Sequence, residues 1–432
     1  MLPVNIGLVG VVMLVAIAAA ALSRSTRHFP PSQSRQGAMQ GFRGLLALGV
    51  FLHHSFIWSH YVQGRGWLDA WGWHQFGESR VVLFFMLTAT LFYGKLLDSR
   101  GRDFDWLRLY VSRLLRLGPA YWLAMSLMIA IVAFATLNHI DGAGLAIIKF
   151  NWWEIVTECA VWLTFSMFGM PSIDGYFHTP LITAAVTWTL PYEVTFYMLL
   201  PLLALPLRLA MPATTLALGL AAAIWAAAWS PDPAICVPFA GGLAVALLIR
   251  VPQVVKVLRH RASAAAAMAS MTAVFLLFPT VYAPVPLLLL LFSMAVVAAD
   301  NDLFGILRWR APQALGNWGY SLYLLHGIAL YVLFVLVIGL DRAARLTELE
   351  YVAVLAAYIP VVIGLSWASH RWIESPPMRA VPAVVAAIRA RMARWRPQPD
   401  AAATDAPAIA AAIAPAAANL DAAAPLNARR AA

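Results

Sequence analysis

Apolar runs of about the length needed to cross a bilayer recur along this chain from its start almost to its end, about eleven in all. Backbone N–H and C=O groups inside a bilayer core find no water to bond, so runs of this kind are expected to be helical. Composition agrees: 62% of the 432 residues are hydrophobic and 12% are charged, where soluble domains carry about 25% charged residues. An ordinary soluble enzyme is excluded. The sequence predicts an all-α fold, a polytopic transmembrane helical bundle of about eleven spans.

Charge sets the expected organisation. The net charge is +10. In a soluble chain it would suggest nucleic acid, but here Lys and Arg cluster between the apolar runs. A bias of basic loops toward the cytoplasm accounts for that, and nucleic-acid binding has no other support. Three parts are expected: residues 1–39, an extra span at Leu2–Leu22 plus a linker bearing Arg24, Arg27 and Arg35; 40–379, the membrane domain; and 380–432, a disordered Ala/Pro-rich tail. The first run lacks a basic leader, so it reads as a retained span rather than a signal peptide, with the N-terminus outside. Leu181–Leu207 reads as one span. Trp152–Phe168 reads as a partial or re-entrant helix, or as a second crossing that would invert everything after it. Cys159 and Cys236 form neither a disulfide framework nor a metal site.

Ionisable groups in apolar spans cost about 2.5–3.5 kcal/mol at a helix centre, so each needs a reason. Arg43 and His54 are close to three helical turns apart, on one face and roughly 16 Å distant along the axis. His53 points about 100° away from that face. A neutral imidazole can act as a base on a hydroxyl or as an acyl-accepting nucleophile, while Arg43 would bind a phosphate or a developing oxyanion. The plainer reading is a packed histidine and an arginine anchoring a helix end.

Four further clusters follow. Arg113 and Arg116, in the stretch that ends at Tyr121, share one face and can clamp a polyphosphate or simply anchor a helix. Glu193 is the sole acid of its span, between Trp188 and Tyr197. It can pair with Arg113, Arg116 or His54, or sit protonated in a packed site. Tyr320, Tyr323 and His326 are spaced to line one polar stripe, or to serve as an interfacial aromatic belt. Glu374 lies beside Arg371, where an interfacial ion pair would also explain it.

These five segments, in this order, resemble the integral-membrane acyltransferase family 3, bacterial acyltransferases of surface polysaccharides and other acceptors. The resemblance runs from Gln40 to Pro377 and rests on Arg43 and His54 with ten residues between them, Val81–Leu91, Arg113/Arg116/Pro119, Trp188 through Tyr197, Gly316–His326 and Ser366–Pro376. It implies a ten-span core in the bacterial inner (cytoplasmic) membrane with its C-terminus cytoplasmic. It implies acyl-CoA, often acetyl-CoA, as donor substrate rather than as a bound cofactor. The implied acceptor is a hydroxyl of a saccharide or lipid-linked glycan. By the same resemblance His54, Arg43 and Glu193 are the catalytic set, and Arg113, Arg116 and Tyr121 bind the donor. Trp188, Tyr197, Tyr320, Tyr323, His326 and Glu374 support the site, with no metal. The chain departs from the family pattern at Gln40, where Asp is frequent and no carboxylate would orient Arg43, at Val82, and at Thr88-Ala89 in place of Ser-Gly. Pro191 is expected to make the helix irregular before Glu193. A transporter or flippase of lipid-linked saccharide is the alternative function, and a sensor or scaffold that keeps the fold without chemistry is a third.

Overall fold

The computed structural model describes residues 2–22, 37–67, 74–138, 140, 151–229 and 231–394. Among these the chain is helical, without a β-strand. In order the helices are α1 Leu2–Leu22, α2 Gly37–Val62, α3 His74–Asp98, α4 Trp106–Leu137, α5 Trp152–Trp162, α6 Thr179–Ile182, α7 Leu190–Ala204, α8 Ala213–Trp229 and α9 Pro233–Leu248. They continue with α10 Pro252–Leu258, α11 Arg261–Leu277, α12 Pro284–Ala298, α13 Arg310–Tyr331, α14 Leu340–Ala343, α15 Glu348–Ser369 and α16 Ser375–Arg394.

Every expected span contains helix, though Leu181–Leu207 is interrupted and the helix in Ala264–Tyr282 ends at Leu277. Six segments are long and apolar enough to cross a bilayer by themselves: Gly37–Val62, Gly77–Asp98, Trp106–Leu137, Val186–Leu207, Arg310–Val337 and a sixth that begins at Glu348. Helices α9 and α10 form a further pair bent by 108°, while α8, α11, α12 and the apolar part of α1 are shorter. The chain is therefore an all-α, multi-pass membrane protein.

Residues up to Val381 form one compact unit, and Pro382 begins a second. That second unit is helical to Arg394, which corrects the expectation of disorder from 380 onward. Ala, Val, Ile and Arg are compatible with helix and carry it on. Residues 395–432, like the linker with Arg24, Arg27 and Arg35, lie outside the described residues.

Helices α2 and α13 form the spine of the first unit, and glycines let them touch backbone to backbone. A Cβ on Gly44 would lie 2.2 Å from the Pro312 carbonyl oxygen, and one on Gly316 would lie 2.1 Å from that of Gln40. Without a hydrophobic drive between helices in lipid, such close packing is a main source of association. Amides reinforce it. Gln40 Nε2 donates to Asn317 Oδ1 at 2.8 Å, and Gln313 Nε2 donates to the carbonyls of Gly37 and Leu307. Gln40 is thus spent on joining the two helices.

A second close approach joins α3 to α9. A Cβ on Gly242 would stand 2.6 Å from the Ala89 methyl. The space that Ala89 takes on α3 is given back by a glycine on its neighbour.

The expected single span at Leu181–Leu207 is broken. Ala184 and Ala185 adopt positive φ, 51° and 55°, between α6 and a 3₁₀ turn at Val186–Thr189. Gly327 on α13 explains how the break is seated, since a Cβ there would meet the Thr183 carbonyl carbon at 2.3 Å. Tyr323 then ties the segment down by donating to the Val186 carbonyl at 2.6 Å. Pro191 lies in the first turn of α7, where its missing N–H would be unbonded anyway. It starts a helix rather than distorting one.

Of the readings for Trp152–Phe168, the structure selects the dip and return. The end of α5 reaches α4, where Tyr121 donates to the Trp162 carbonyl at 2.5 Å. The chain turns through positive φ at Phe165 and Ser166. It comes back to the far ends of α2 and α13, where Tyr61 meets His178 Nε2 at 2.8 Å and Tyr176 meets the Tyr331 hydroxyl at 2.5 Å.

Candidate active site

At the arginine-bearing end of α4 the helices leave a cavity of about 260 Å³. Its polar wall holds Arg43 from α2, Lys95 from α3, Arg113 and Arg116 from α4, and Glu193 and Tyr197 from α7. Tyr320 and Tyr323 enter from α13, and Met378 from α16. Four cations therefore face one carboxylate, a surplus suited to a multiply charged anion.

Three of the four cations have defined contacts. The Arg113 guanidinium lies 4.8 Å from the Phe92 ring centroid and 6.0 Å from that of Tyr197. Lys95 lies 4.9 Å from the same Phe92 ring, so one aromatic side chain carries two cations. Tyr197 donates to Glu193 one turn away, fixing that carboxylate at the cavity wall.

Arg116 reaches Glu374 at 4.0 Å and donates to Met378 Sδ at 3.2 Å. Glu374 is fully buried. It accepts from Ser321 and has His370 Nδ1 at 3.5 Å. A buried carboxylate needs such partners. It sits in a short π-helical turn, His370–Glu374, which turns the side chain inward. Of the two readings of Glu374, this buried contact with Arg116 replaces the interfacial pair with Arg371.

The histidine stands elsewhere. His54 is on α2 roughly 16 Å from Arg43 along the axis, and it does not line the cavity. Its Nδ1 has two neighbours, the Val50 carbonyl at 3.0 Å and His326 Nε2 at 3.0 Å. His326 Nδ1 in turn meets the Leu322 carbonyl at 2.9 Å. A carbonyl can only accept, so His326 Nδ1 carries a proton, and the Nε2 of a neutral His326 ring is an acceptor. His54 Nδ1 must then be the donor, and His54 Nε2 is left bare. The tautomer is inferred from these partners. Trp67 stacks near the His54 ring, centroids 6.4 Å apart.

Among the residues expected from sequence, Arg43, Arg113, Arg116, Glu193, Tyr197, Tyr320 and Tyr323 meet at the cavity, and His326 meets His54. Tyr320 donates to the Leu117 carbonyl at 3.0 Å, bracing α4. Two residues are placed elsewhere. Tyr121, expected at the donor, is fully buried against Trp162, Phe165 and Ser166. Trp188 packs edge-on to Tyr192 and does not line the cavity. Sequence reasoning passed over Lys95 and Phe92, though an aromatic and a lysine three residues apart share a helix face. It also passed over Met378, an ordinary core residue type that carries no such signal; Thr88 was singled out only as a departure from the family pattern, and Phe84 and Thr189 lie unnamed inside the quoted segments Val81–Leu91 and Trp188 through Tyr197.

The family model for an acyltransferase domain, that of the membrane acyltransferase 3 proteins, matches residues 36–371, well over half of the chain. No curated protein and no solved structure matches it.

Proposed function

Because this chain belongs to acyltransferase family 3, an enzyme family of membrane proteins, we propose that it moves an acyl group, in the first place acetyl, from acyl-CoA to a hydroxyl of a saccharide or lipid-linked glycan. The observation that carries this reading is the cationic cavity followed by a histidine pair whose outer nitrogen is bare. The cavity suits the phosphates and the thin arm of a CoA thioester. Arg43, Lys95, Arg113 and Arg116 hold the anionic end, and Glu374 steadies Arg116. Since Arg43 is roughly three turns from His54, its task is the donor rather than an oxyanion beside the histidine.

His54 Nε2 acts as general base. The acceptor hydroxyl oxygen bonds to the thioester carbonyl carbon while its proton passes to Nε2. The tetrahedral centre then collapses, the C–S bond breaks, and the CoA thiolate takes the proton from His54 and leaves as free CoA. His326 keeps the His54 proton on Nδ1 throughout, the part an orienting carboxylate plays in hydrolase triads.

The excess of Arg at the cavity end supports a reading with that end in the cytoplasm, the C-terminus there and the N-terminus outside. On this reading the eleven apolar segments comprise a ten-span core plus α1, the core domain runs over 40–379, and the membrane is a bacterial inner membrane. The acceptor arrives from the opposite face, past Trp67.

The test uses the full chain in nanodiscs with acetyl-CoA and a lipid-linked saccharide fraction, reading free CoA as thiol. Thiol release that requires both substrates is expected. Saccharide movement across proteoliposomes without any acyl-CoA, and no thiol release with acyl chains up to hexanoyl, would overturn the reading in favour of transport.

A further inference from the structure

The cavity stops short of the histidines. Along α3 its wall runs from Lys95 through Leu91 and Thr88 to Phe84 and Val81, and along α13 it runs from Tyr320 to Tyr323. One turn further on, His326 does not line it. Toward the histidines the lining includes Val81, Phe84 and Tyr323, and the Phe84 and Tyr323 rings meet edge to face with centroids 6.5 Å apart. Behind Tyr323 stands His326, centroids 6.3 Å apart, and behind that His54, at 5.0 Å.

The two rings differ in freedom. Tyr323 is pinned at its hydroxyl, which donates to the Val186 carbonyl at 2.6 Å and lies 2.6 Å from Thr189 Oγ1. Phe84 has no polar handle, is only partly buried, and packs between two clusters of the core. On the donor reading, a thioester whose arm lies in the cavity points its acyl group toward this end, where Phe84 is the partly buried apolar ring of the lining.

We propose that Phe84 is the residue that sets how long an acyl group the donor cavity accepts. The inference rests on the donor reading above and adds the specificity to it. On this assignment the native protein favours a two-carbon over a six-carbon acyl group. An apolar wall of this kind discriminates by about 10–200-fold for a single methylene, so several methylenes give at least that range.

The experiment titrates CoA, acetyl-CoA and hexanoyl-CoA against the full chain in nanodiscs, for the native protein, Phe84→Ala and Phe84→Leu. The native protein is expected to bind acetyl-CoA at least about tenfold more tightly than hexanoyl-CoA. Both variants are expected to shift that ratio toward hexanoyl-CoA, Phe84→Ala by about tenfold or more. Phe84→Leu keeps most of the packing and serves if the alanine variant fails to fold. Arg113→Ala is the control, weakening both ligands and leaving their ratio alone. Equal affinity for both ligands in the native protein, or an unchanged ratio in the Phe84 variants that bind CoA, would overturn the assignment. Loss of all CoA binding in the native protein is a different result. It removes the donor reading itself, and the assignment with it.

Discussion

Gly316→Ala is the sharpest perturbation the packing offers. The added methyl would lie 2.1 Å from the Gln40 carbonyl oxygen and 2.9 Å from its carbon. Ordinary carbon–oxygen contact is about 3.4 Å, so α13 must move off α2 by about 1 Å, because the obstacle is backbone and cannot rotate away. Overpacking of this kind costs about 1–3 kcal/mol. The functional effect is larger. His54 and His326 sit on these same two helices with 3.0 Å between Nδ1 and Nε2, and a shift of about 1 Å carries that pair beyond hydrogen-bond range. Misplacement on this scale costs about 10²-fold in rate. The assay is thermal unfolding and acyl transfer of Gly316→Ala beside Gly364→Ala, whose new methyl meets nothing within 4 Å. The first is predicted to lose about 10²-fold in kcat with a lowered midpoint. The second is predicted to be at least as stable as native, by the helix preference of alanine over glycine. A Gly316→Ala protein with native stability and turnover would refute the account of the α2–α13 spine.

Three more outcomes follow from the geometry. His326→Ala is predicted to lower kcat by about 10²–10⁴-fold while the protein still binds CoA, measured by turnover beside a binding titration; equal losses in both would contradict its assignment to His54. Lys95→Ala is predicted to raise KM for acetyl-CoA more than for S-acetylpantetheine, which lacks the nucleotide, and equal effects would remove Lys95 from the anionic end. Burial holds the His178 ring below its ordinary value, so it contributes stability that is complete above about pH 6.5, the unfolded value, and is lost as pH falls through the lowered folded value. Unfolding midpoints should therefore drop as pH falls below about 6.5, and drop less in His178→Asn.

The sequence displayed much of this. Recurrent apolar runs announced the helical membrane fold, and helical spacing alone separated His54 from His53. His53 indeed faces α3, lying over Gly77, where an added Cβ would be 2.4 Å from its ring. Spacing also brought Arg113 and Arg116 together. Partners across helices were not legible. His54 and His326 are 272 residues apart, and in a bilayer both the packed and the lipid-facing sides of a helix are apolar, so periodicity does not say which side meets which neighbour. Tyr121 shows the cost. Its place beside Arg116 in sequence suggested the donor, yet about 100° of helical rotation per residue turns it toward Trp162. The break at Ala184–Ala185 was hidden for the same reason, since what permits it is Gly327 on another helix. For Glu374 the sequence left open a supporting role or an interfacial ion pair, because a π-helical turn leaves no mark in residue pattern.

The central claim is that His54, with its bare Nε2, is the base in acyl transfer from CoA. The most direct measurement follows acetyl transfer from radiolabelled acetyl-CoA to a saccharide fraction, with the native chain, His54→Ala and His53→Ala side by side in nanodiscs, each shown to be folded by thermal unfolding. The account predicts that transfer is lost with His54→Ala and retained with His53→Ala. Full transfer by a folded His54→Ala protein would contradict it.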